Sequence, residues 1–227
     1  MNERVVILSG AGMSADSGLK TFRDHNGLWE GHDVMEVASP QGWYNNQDLV
    51  LEFYNQRRRN LREAQPNEGH YALAKLEDQY EVKIVTQNVD DLHERAGSME
   101  VLHIHGELFK VRSTVESHLI YDWEGDLIKG DLCEEGHQLR PHIVWFGEAV
   151  PAIEEAAHIC SSADILIIIG TSLEVYPAAG LIHYCHPEIP KYLIDPRIPS
   201  GVHLDNLTCI SKSAKNGVPE LVGKLLK

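Results

Sequence analysis

An α/β domain built on a parallel sheet is the fold class that three features of this sequence predict. The first is Val5-Val6-Ile7-Leu8-Ser9, a continuously aliphatic run of the kind found in a strand buried on both faces. The second is its passage into Gly10-Ala11-Gly12, where the chain can turn sharply. The third is the alternation downstream: strand-sized apolar runs, such as Asp164 to Ile169, are separated by stretches with helical spacing. Strands that alternate with helices imply a parallel sheet covered on both faces. Ligands of such sheets bind beyond the carboxyl ends of the strands.

The first turn carries chemistry as well as shape. Ser14, Asp16 and Ser17 can cap a helix start, whose free N–H groups favour an anion. Strand, glycine turn and helix start together read as a cradle for a dinucleotide pyrophosphate in a Rossmann-like fold. Ala15 stands where the third glycine of G-x-G-x-x-G belongs. The turn alone is therefore equally well read as a tight strand-to-helix connection.

The remaining elements follow in order. Asp24 to Glu36 is polar and turn-rich, a loop. Ser39-Pro40 opens a helix, serine as N-cap and proline in the first position, running to about Glu63. Arg57, Arg58, Arg59 and Arg62 cluster near its end, where the helix dipole favours cations. Asn67 to Tyr80 is a second helix with Tyr71, Leu73, Ala74 and Leu76 as its apolar face. A strand Glu81 to Thr86, a short helix Asp90 to Arg95 and a strand Glu100 to Ile104 come next. Gly106 to Leu139 is polar, contains Gly125, Gly130 and Gly136, and lacks helical periodicity, so it reads as an inserted module. Arg140 to Phe146 resumes the apolar pattern. Then come a helix Ala152 to Ser161, the strand Asp164 to Ile169, a helix Pro177 to Cys185, a strand Lys191 to Asp195 and a closing helix Val218 to Leu226. The expected division is a Rossmann-like large part at 1–23, 68–108 and 140–227, with a small module at 24–67 and 109–139. Gly10, Gln87, His105 and Gly170 all fall at strand ends, so the motifs converge on one cleft.

Composition narrows the function classes. With 227 residues, 43% of them hydrophobic, the chain can form an ordinary core. A net charge of −14 argues against general nucleic-acid or anionic-membrane binding and fits lysine-rich partners, with plain solubility an equal explanation. The longest apolar run, Ile165 to Ile169, is too short to span a bilayer. The first strand begins by Arg4 or Val5, which leaves no expected room for a signal peptide. The 4 cysteines have no paired spacing and suggest a reducing cytoplasm.

Gly10-Ala11-Gly12-Met13-Ser14-Ala15-Asp16-Ser17-Gly18 with Thr21-Phe22-Arg23 resembles the nucleotide-binding signature of the sirtuins, the NAD-dependent protein lysine deacylases. Further blocks match in the same order: Thr86-Gln87-Asn88-Val89-Asp90-Asp91-Leu92-His93, His105-Gly106, Val144-Trp145-Phe146-Gly147-Glu148 and Gly170-Thr171-Ser172. The resemblance implies NAD as cofactor and an acylated lysine of a protein or peptide as substrate. It also implies release of nicotinamide and O-acyl-ADP-ribose, and a monomer.

Site roles come with the resemblance, residue by residue. Gly10, Ala11, Gly12, Ser14, Ala15, Thr21, Phe22 and Arg23 would bind the cofactor, and Phe22 and Arg23 would face the catalytic centre. Gln87, Asn88 and Asp90 would hold the nicotinamide and its ribose; amides and a carboxylate suit that work, though Asn88 or Asp90 could equally cap a helix. His105 is the expected base, because it alone of His93, His103 and His105 precedes a glycine at a strand end. His103 reads as a core or sheet residue. Gly170, Thr171 and Ser172 resemble a second phosphate-and-ribose contact, Asp195 an adenine-ribose contact, and Ala214 part of the segment under the adenine. Val144, Phe146, Gly147, Glu148, Val175 and Tyr176 would line the acyl-lysine tunnel and the two edges that clamp a peptide as an added strand. Trp145 is better read as core.

Two departures from the common pattern bear on function. Most sirtuins carry two Cys-x-x-Cys pairs suited to zinc; here Ser113, Glu116, Cys133 and Gly136 stand at those positions, so no metal is expected. A mixed site of Glu116, His118, Cys133 and His137 is the lesser alternative. Leu119, Ile120, Trp123, Leu127 and Ile128 would then hold the module by packing. Tyr54 and Arg57 lie at i and i+3 on one helix face and resemble the pair that reads acidic acyl-lysines in the bacterial class III, or desuccinylase, branch. His142 replaces the aspartate that usually follows the Arg140-Pro141 pair. Mono-ADP-ribosyl transfer and a non-catalytic NAD or ADP-ribose sensor remain open; an intact Asn88, Asp90 and His105 argue against the sensor.

Overall fold

The computed structural model describes residues 3–20, 28–29, 31–199 and 201–227. In chain order the strands are β1 (Arg4–Ser9), β2 (Leu28–Trp29), β3 (His32–Asp33), β4 (Glu81–Thr86), β5 (Val101–His103), β6 (Gly106–Ser113), β7 (Ile120–Asp122), β8 (Leu139–Ile143), β9 (Ile165–Ile169), β10 (Lys191–Ile194) and β11 (Leu207–Ile210). The α-helices are α1 (Val34–Val37), α2 (Pro40–Asn45), α3 (Gln47–Glu63), α4 (Glu68–Leu76), α5 (Leu92–Arg95), α6 (Ile153–Ser161) and α7 (Ala214–Leu225).

A 6-stranded sheet in the order β11-β10-β9-β1-β4-β5 carries the molecule, and its strand pairs are parallel. Strand side chains alternate between faces. Val5, Ile7, Ile84 and Ile167 pack on α4 and α7 through Leu73, Leu76, Val218 and Leu221. Val6, Leu8, Leu166 and Ile168 pack on α6 and the 3-10 helix Ala178–Tyr184 through Ala156, Cys160, Leu181 and Ile182. Both faces of β1 are thus covered, as its uninterrupted aliphatic run requires.

A smaller antiparallel sheet, β7-β6-β8, sits beside this layer. Helix α3 lies against it. Arg58, 1% exposed, donates from Nε to the Leu108 carbonyl at 3.0 Å and from Nη1 to Asn55 Oδ1 at 2.7 Å. Asn55 in turn exchanges hydrogen bonds with the Leu127 backbone at 3.0 and 2.8 Å. The arginine run is therefore not a surface run throughout: Arg58 is a buried staple, since a guanidinium can be buried when backbone and amide oxygens receive its protons.

Several local expectations change. The helix read from Ser39 to Glu63 is broken at Asn46 (φ −153°, ψ 82°), whose side chain caps α3 by accepting the Leu49 N–H. The stretch after Gly10 is two short 3-10 helices, Ala11–Met13 and Ala15–Ser17, neither with a side-chain cap. Ser14 is free for another partner as a result. The buried stripe of α4 is Gly69, His70, Leu73 and Leu76, while Tyr71 is exposed. Strand β8 pairs with β6 in the small sheet. The closing helix begins at Ala214 rather than Val218, with Pro219 in its interior.

Candidate functional site

The carboxyl ends of β1, β4 and β9 open into a cleft of about 1120 Å³. Gly10, Ala11, Gly12, Ser14 and Ala15 form one wall, and Gly170, Thr171 and Ser172 another. The two loops meet backbone to backbone. Gly12 N–H donates to the Gly170 carbonyl and Gly10 N–H to the Ile169 carbonyl, each at 2.9 Å. A Cβ on Gly12 would lie 2.6 Å from Gly170 Cα, and Gly170 itself has φ +59° with its missing Cβ pointed at Gly12 and Met13. These glycines are needed for close packing of two loops, and the Gly10 and Gly12 amides are already bonded and are not offered to a phosphate.

Gln87, Asn88 and Asp90 leave the end of β4 and line the same cleft. Gln87 Nε2 donates to Thr171 Oγ1 at 3.1 Å, which ties this segment to the loop after β9. Asn88, 7% exposed, donates from Nδ2 to Ser14 Oγ at 3.2 Å. Asp90 also bonds Ser14; burial raises its carboxyl pKa, opposed by that bond and by the Leu92 N–H.

His105 reaches the cleft from the link between β5 and β6. Its Nδ1 lies 3.2 Å from the Gln87 carbonyl. A carbonyl only accepts, so Nδ1 carries the proton and Nε2 keeps a lone pair. Burial lowers the His105 pKa, and the Gln87 carbonyl opposes that only in part. The ring is therefore neutral at pH 7, as a base must be. Gly106 follows with φ +84°, and a Cβ there would overlap the His142 carbonyl. That is why a glycine succeeds the histidine. His103 has the opposite character: Nδ1 donates to the Asn88 carbonyl at 2.8 Å and Nε2 to Glu94 at 2.7 Å. Burial works against its charge, but the Glu94 hydrogen bond and carboxylate prevail and raise its pKa.

The other end of the cleft is aromatic. Tyr54 is fully buried and accepts the Trp145 Nε1–H at 3.0 Å on its hydroxyl. Burial pushes its pKa up to about 12 despite Arg57 nearby. The Arg57 guanidinium carbon stands 4.2 Å over the Trp29 ring. Trp145 is a core residue, as expected, and it also lines the cleft beside Tyr54 and Arg57. Val144, Phe146, Gly147 and Glu148 follow along the rim, with Val175 and Tyr176 across from them; neither segment is a strand. The Glu148 carboxylate is engaged: Arg140 approaches at 2.6 and 3.1 Å, Arg112 at 3.3 Å and the Trp145 N–H at 2.8 Å. It holds the rim loop in place. His142 is partly buried on β8; burial first, then Arg112, lowers its pKa to about 4.

Asp195 lines the far end of the cleft, one carboxylate oxygen accepting the Arg197 N–H at 2.8 Å. Ala214 is 2% exposed and packs in the core; its neighbour Ser213 is the residue that faces the cleft. Thr21, Phe22 and Arg23 lie outside the described residues. In the small module, Ser113 Oγ accepts the amides of Val115 and Glu116 at 3.3 and 3.1 Å, and Cys133 Sγ donates to it at 3.5 Å. No cluster of three or more His, Cys, Asp or Glu side chains suited to a metal occurs among the described residues. Leu127 is buried there, with Leu119 and Trp123 packed beside the same cluster, whereas Ile120 and Ile128 are exposed. Arg140 enters the sequence reading only as half of the Arg140-Pro141 pair; its bonds to Glu148 reveal its part in the rim.

Parallel sheet, tightly turned glycine loop and an amide- and carboxylate-lined cleft with a neutral histidine define an α/β nucleotide-binding enzyme. The family model described as Sir2 family matches residues 10–177, and the chain belongs to that family, the sirtuins. An NAD-dependent protein deacylase of Helicobacter pylori is 57% identical over 225 residues, covering 99% of this chain and 98% of the relative. A solved Sir2 homologue–NAD complex superposes with a TM-score of 0.89 at 35% identity, covering 99% of this chain and 90% of the other. A Sir2 structure with a deacetylated p53 peptide and 3′-O-acetyl ADP-ribose has a TM-score of 0.80 at 29% identity, covering 99% and 93%.

Proposed function

We propose that this chain is an NAD-dependent protein lysine deacylase whose preferred acyl group is acidic, succinyl or malonyl, with acetyl a poorer substrate. The observation that carries the acyl preference is the Trp145–Tyr54 hydrogen bond. An indole N–H only donates, so the Tyr54 oxygen is the acceptor and its own proton is left to be given away. Arg57 shares that end of the cleft. A phenol proton and a guanidinium together fit a carboxylate better than a methyl group.

The donor set suits NAD. Gln87 and Asn88 offer amides for a carboxamide, while Asp90, Asp195, Ser14 and Thr171 offer oxygens for ribose hydroxyls. Bound there, NAD supplies the ribose carbon that receives the acyl oxygen as nicotinamide departs. The chain's own part is to hold the acyl-lysine between the two rim segments, keep water out, and accept a hydroxyl proton at His105 Nε2. Lysine-rich substrates fit the net charge of −14. The free cysteines support a reducing cytoplasm as the working place, and a monomer suffices because one chain carries every residue named. The small module holds together by packing and the Ser113–Cys133 contact rather than by zinc; one zinc per chain by elemental analysis would refute that.

The test compares succinyl- and acetyl-lysine versions of one peptide with NAD, with Arg57→Met alongside. Succinyl turnover should exceed acetyl turnover, and the variant should lose roughly tenfold to a hundredfold on succinyl while retaining acetyl activity. Equal losses, or a parent enzyme preferring acetyl, would overturn the acyl reading. Nicotinamide release with a gain in peptide mass would indicate ADP-ribosyl transfer instead, and no release would indicate a sensor.

A further inference from the structure

His103 and His105 both turn Nδ1 toward the segment that leaves β4, yet their partners demand different numbers of protons. His105 makes one bond, from Nδ1 to the Gln87 carbonyl at 3.2 Å, and needs one proton for it. His103 makes two, from Nδ1 to the Asn88 carbonyl at 2.8 Å and from Nε2 to Glu94 Oε1 at 2.7 Å. A carbonyl and a carboxylate only accept, so both bonds exist together only when the His103 ring carries both N–H groups. Glu94 is ionised as this requires: burial opposes its charge, but the His103 bond and charge prevail and lower its pKa. The His103 side chain is 7% exposed, so water scarcely competes for either bond.

Asn88 is pinned on its other sides as well. Its N–H donates to Thr86 Oγ1 at 3.0 Å and its Nδ2 to Ser14 Oγ at 3.2 Å. The His103 bond fixes the remaining main-chain group, the carbonyl, and ties it through Glu94 to α5. The other charged or titratable groups around the ring are Asp90 after β4, His93 on α5, kept neutral by burial, and Glu107 and Lys110 on β6, which pair with each other at 2.8 Å. We propose that His103, doubly protonated, is a clamp that positions Asn88 in the cleft and releases its carbonyl when the ring loses a proton. A neutral imidazole has one N–H, and the charged carboxylate is the stronger acceptor and keeps it. The proton that passes to water is therefore the one on Nδ1. Lone pairs on Nδ1 and on the Asn88 oxygen then face each other. Burial works against the His103 charge, but Glu94 prevails, so the ring titrates above its ordinary 6.5. The clamp is complete below that midpoint and is lost as pH rises through it. His105 must be neutral to accept a proton and His103 charged to position Asn88, so the two bound the working range from opposite sides.

The kinetic consequence rests on the reading of the cleft as an NAD site; the first test does not. Imidazole 15N spectra of the labelled parent enzyme, with His103 assigned through His103→Leu, should show a doubly protonated ring at pH 6. The Asn88 carbonyl 13C signal should move with the same midpoint as the ring. Glu94→Gln should lower that midpoint by about one unit or more. A neutral His103 at pH 6, a still Asn88 carbonyl, or a midpoint unmoved by Glu94→Gln would overturn the clamp, whatever the cleft binds. In the parent, the KM for NAD should rise about tenfold as pH passes through the midpoint, while the KM for acyl peptide stays level. Glu94→Gln should show that rise at lower pH, and His103→Leu should have the high value throughout. A KM for NAD that ignores the midpoint, or equal rises for NAD and peptide, would reduce His103 to a brace for α5. A chain that titrates as stated but turns over no NAD would strike the proposed function and leave the clamp on Asn88 standing.

Discussion

The floor of the cleft and its aromatic end are built from different material. The floor is backbone against backbone: the glycine turn after β1 and the loop after β9 touch with no room for a Cβ, and the Gly10 and Gly12 amides donate to the Ile169 and Gly170 carbonyls. The aromatic end is side chain against side chain: Tyr54 on Trp145, Arg57 on Trp29, Glu148 on Arg140. A backbone contact depends on conformation and admits almost no substitution. A side-chain contact can be exchanged for another of similar shape while the fold persists. The glycine floor is thus rigidly specified, and the aromatic end, where we propose that the acyl group is read, is adjustable.

The largest effect should come from adding one methyl group to the floor. Gly170→Ala places a Cβ into Gly12 and Met13 at φ +59°. Its destabilisation should reach the exceptional range, above about 4 kcal/mol, in urea unfolding. A variant of parental stability would break the comparison at its base. His105→Ala should cost about a hundredfold or more in turnover while NAD binding persists. Because burial lowers the His105 pKa and only the neutral ring accepts a proton, the acid limb of the pH–rate profile should have its midpoint below the ordinary 6.5. A midpoint above that value would mean another group limits the rate.

Acid should loosen the packing around His70, as it should the rim around His142, whose pKa is lowered to about 4 as well. The His70 pKa falls from 6.5 to about 4 through burial, so its share of stability is complete above pH 6.5 and is lost as pH drops toward 4. The loss amounts to about 3 kcal/mol for that group, read from denaturant midpoints across the range. A flat profile would place a charged His70 in the folded protein. The smallest change sharpens the other side: Trp145→Phe keeps an aromatic ring but removes the N–H to Tyr54 along with part of the indole volume. The ratio of succinyl to acetyl turnover should fall about tenfold, beyond any loss of stability from the smaller ring. An unaltered ratio would reduce the Tyr54–Trp145 bond to packing.

Legibility followed the range of the interactions. The aliphatic runs of β1 and β9 were readable because burial on both faces demands continuous apolar residues. The break at Asn46 was passed over although Asn45, Asn46 and Asp48 are capping types, because apolar residues on both sides of it keep a helical spacing. His70 escaped because an imidazole inside an apolar stripe looks like a surface residue until its partner His93, 23 positions away in the chain, is seen facing it. The arginine run looked like solvated charge, yet Arg58 is buried against oxygens that other segments supply.

The sequence by itself determined the sheet, the order of the motifs and their arrival at strand ends, since those depend on local periodicity and on residues adjacent in the chain. Only the tertiary structure decided what each motif residue does there. It showed that Gly12 exists to admit Gly170, that Glu148 is already bound by Arg140, and which nitrogens of His105 and His70 carry the proton. The reason is that a proton's place, like a close backbone contact, is set by the partner across the fold, and that partner can lie anywhere in the chain.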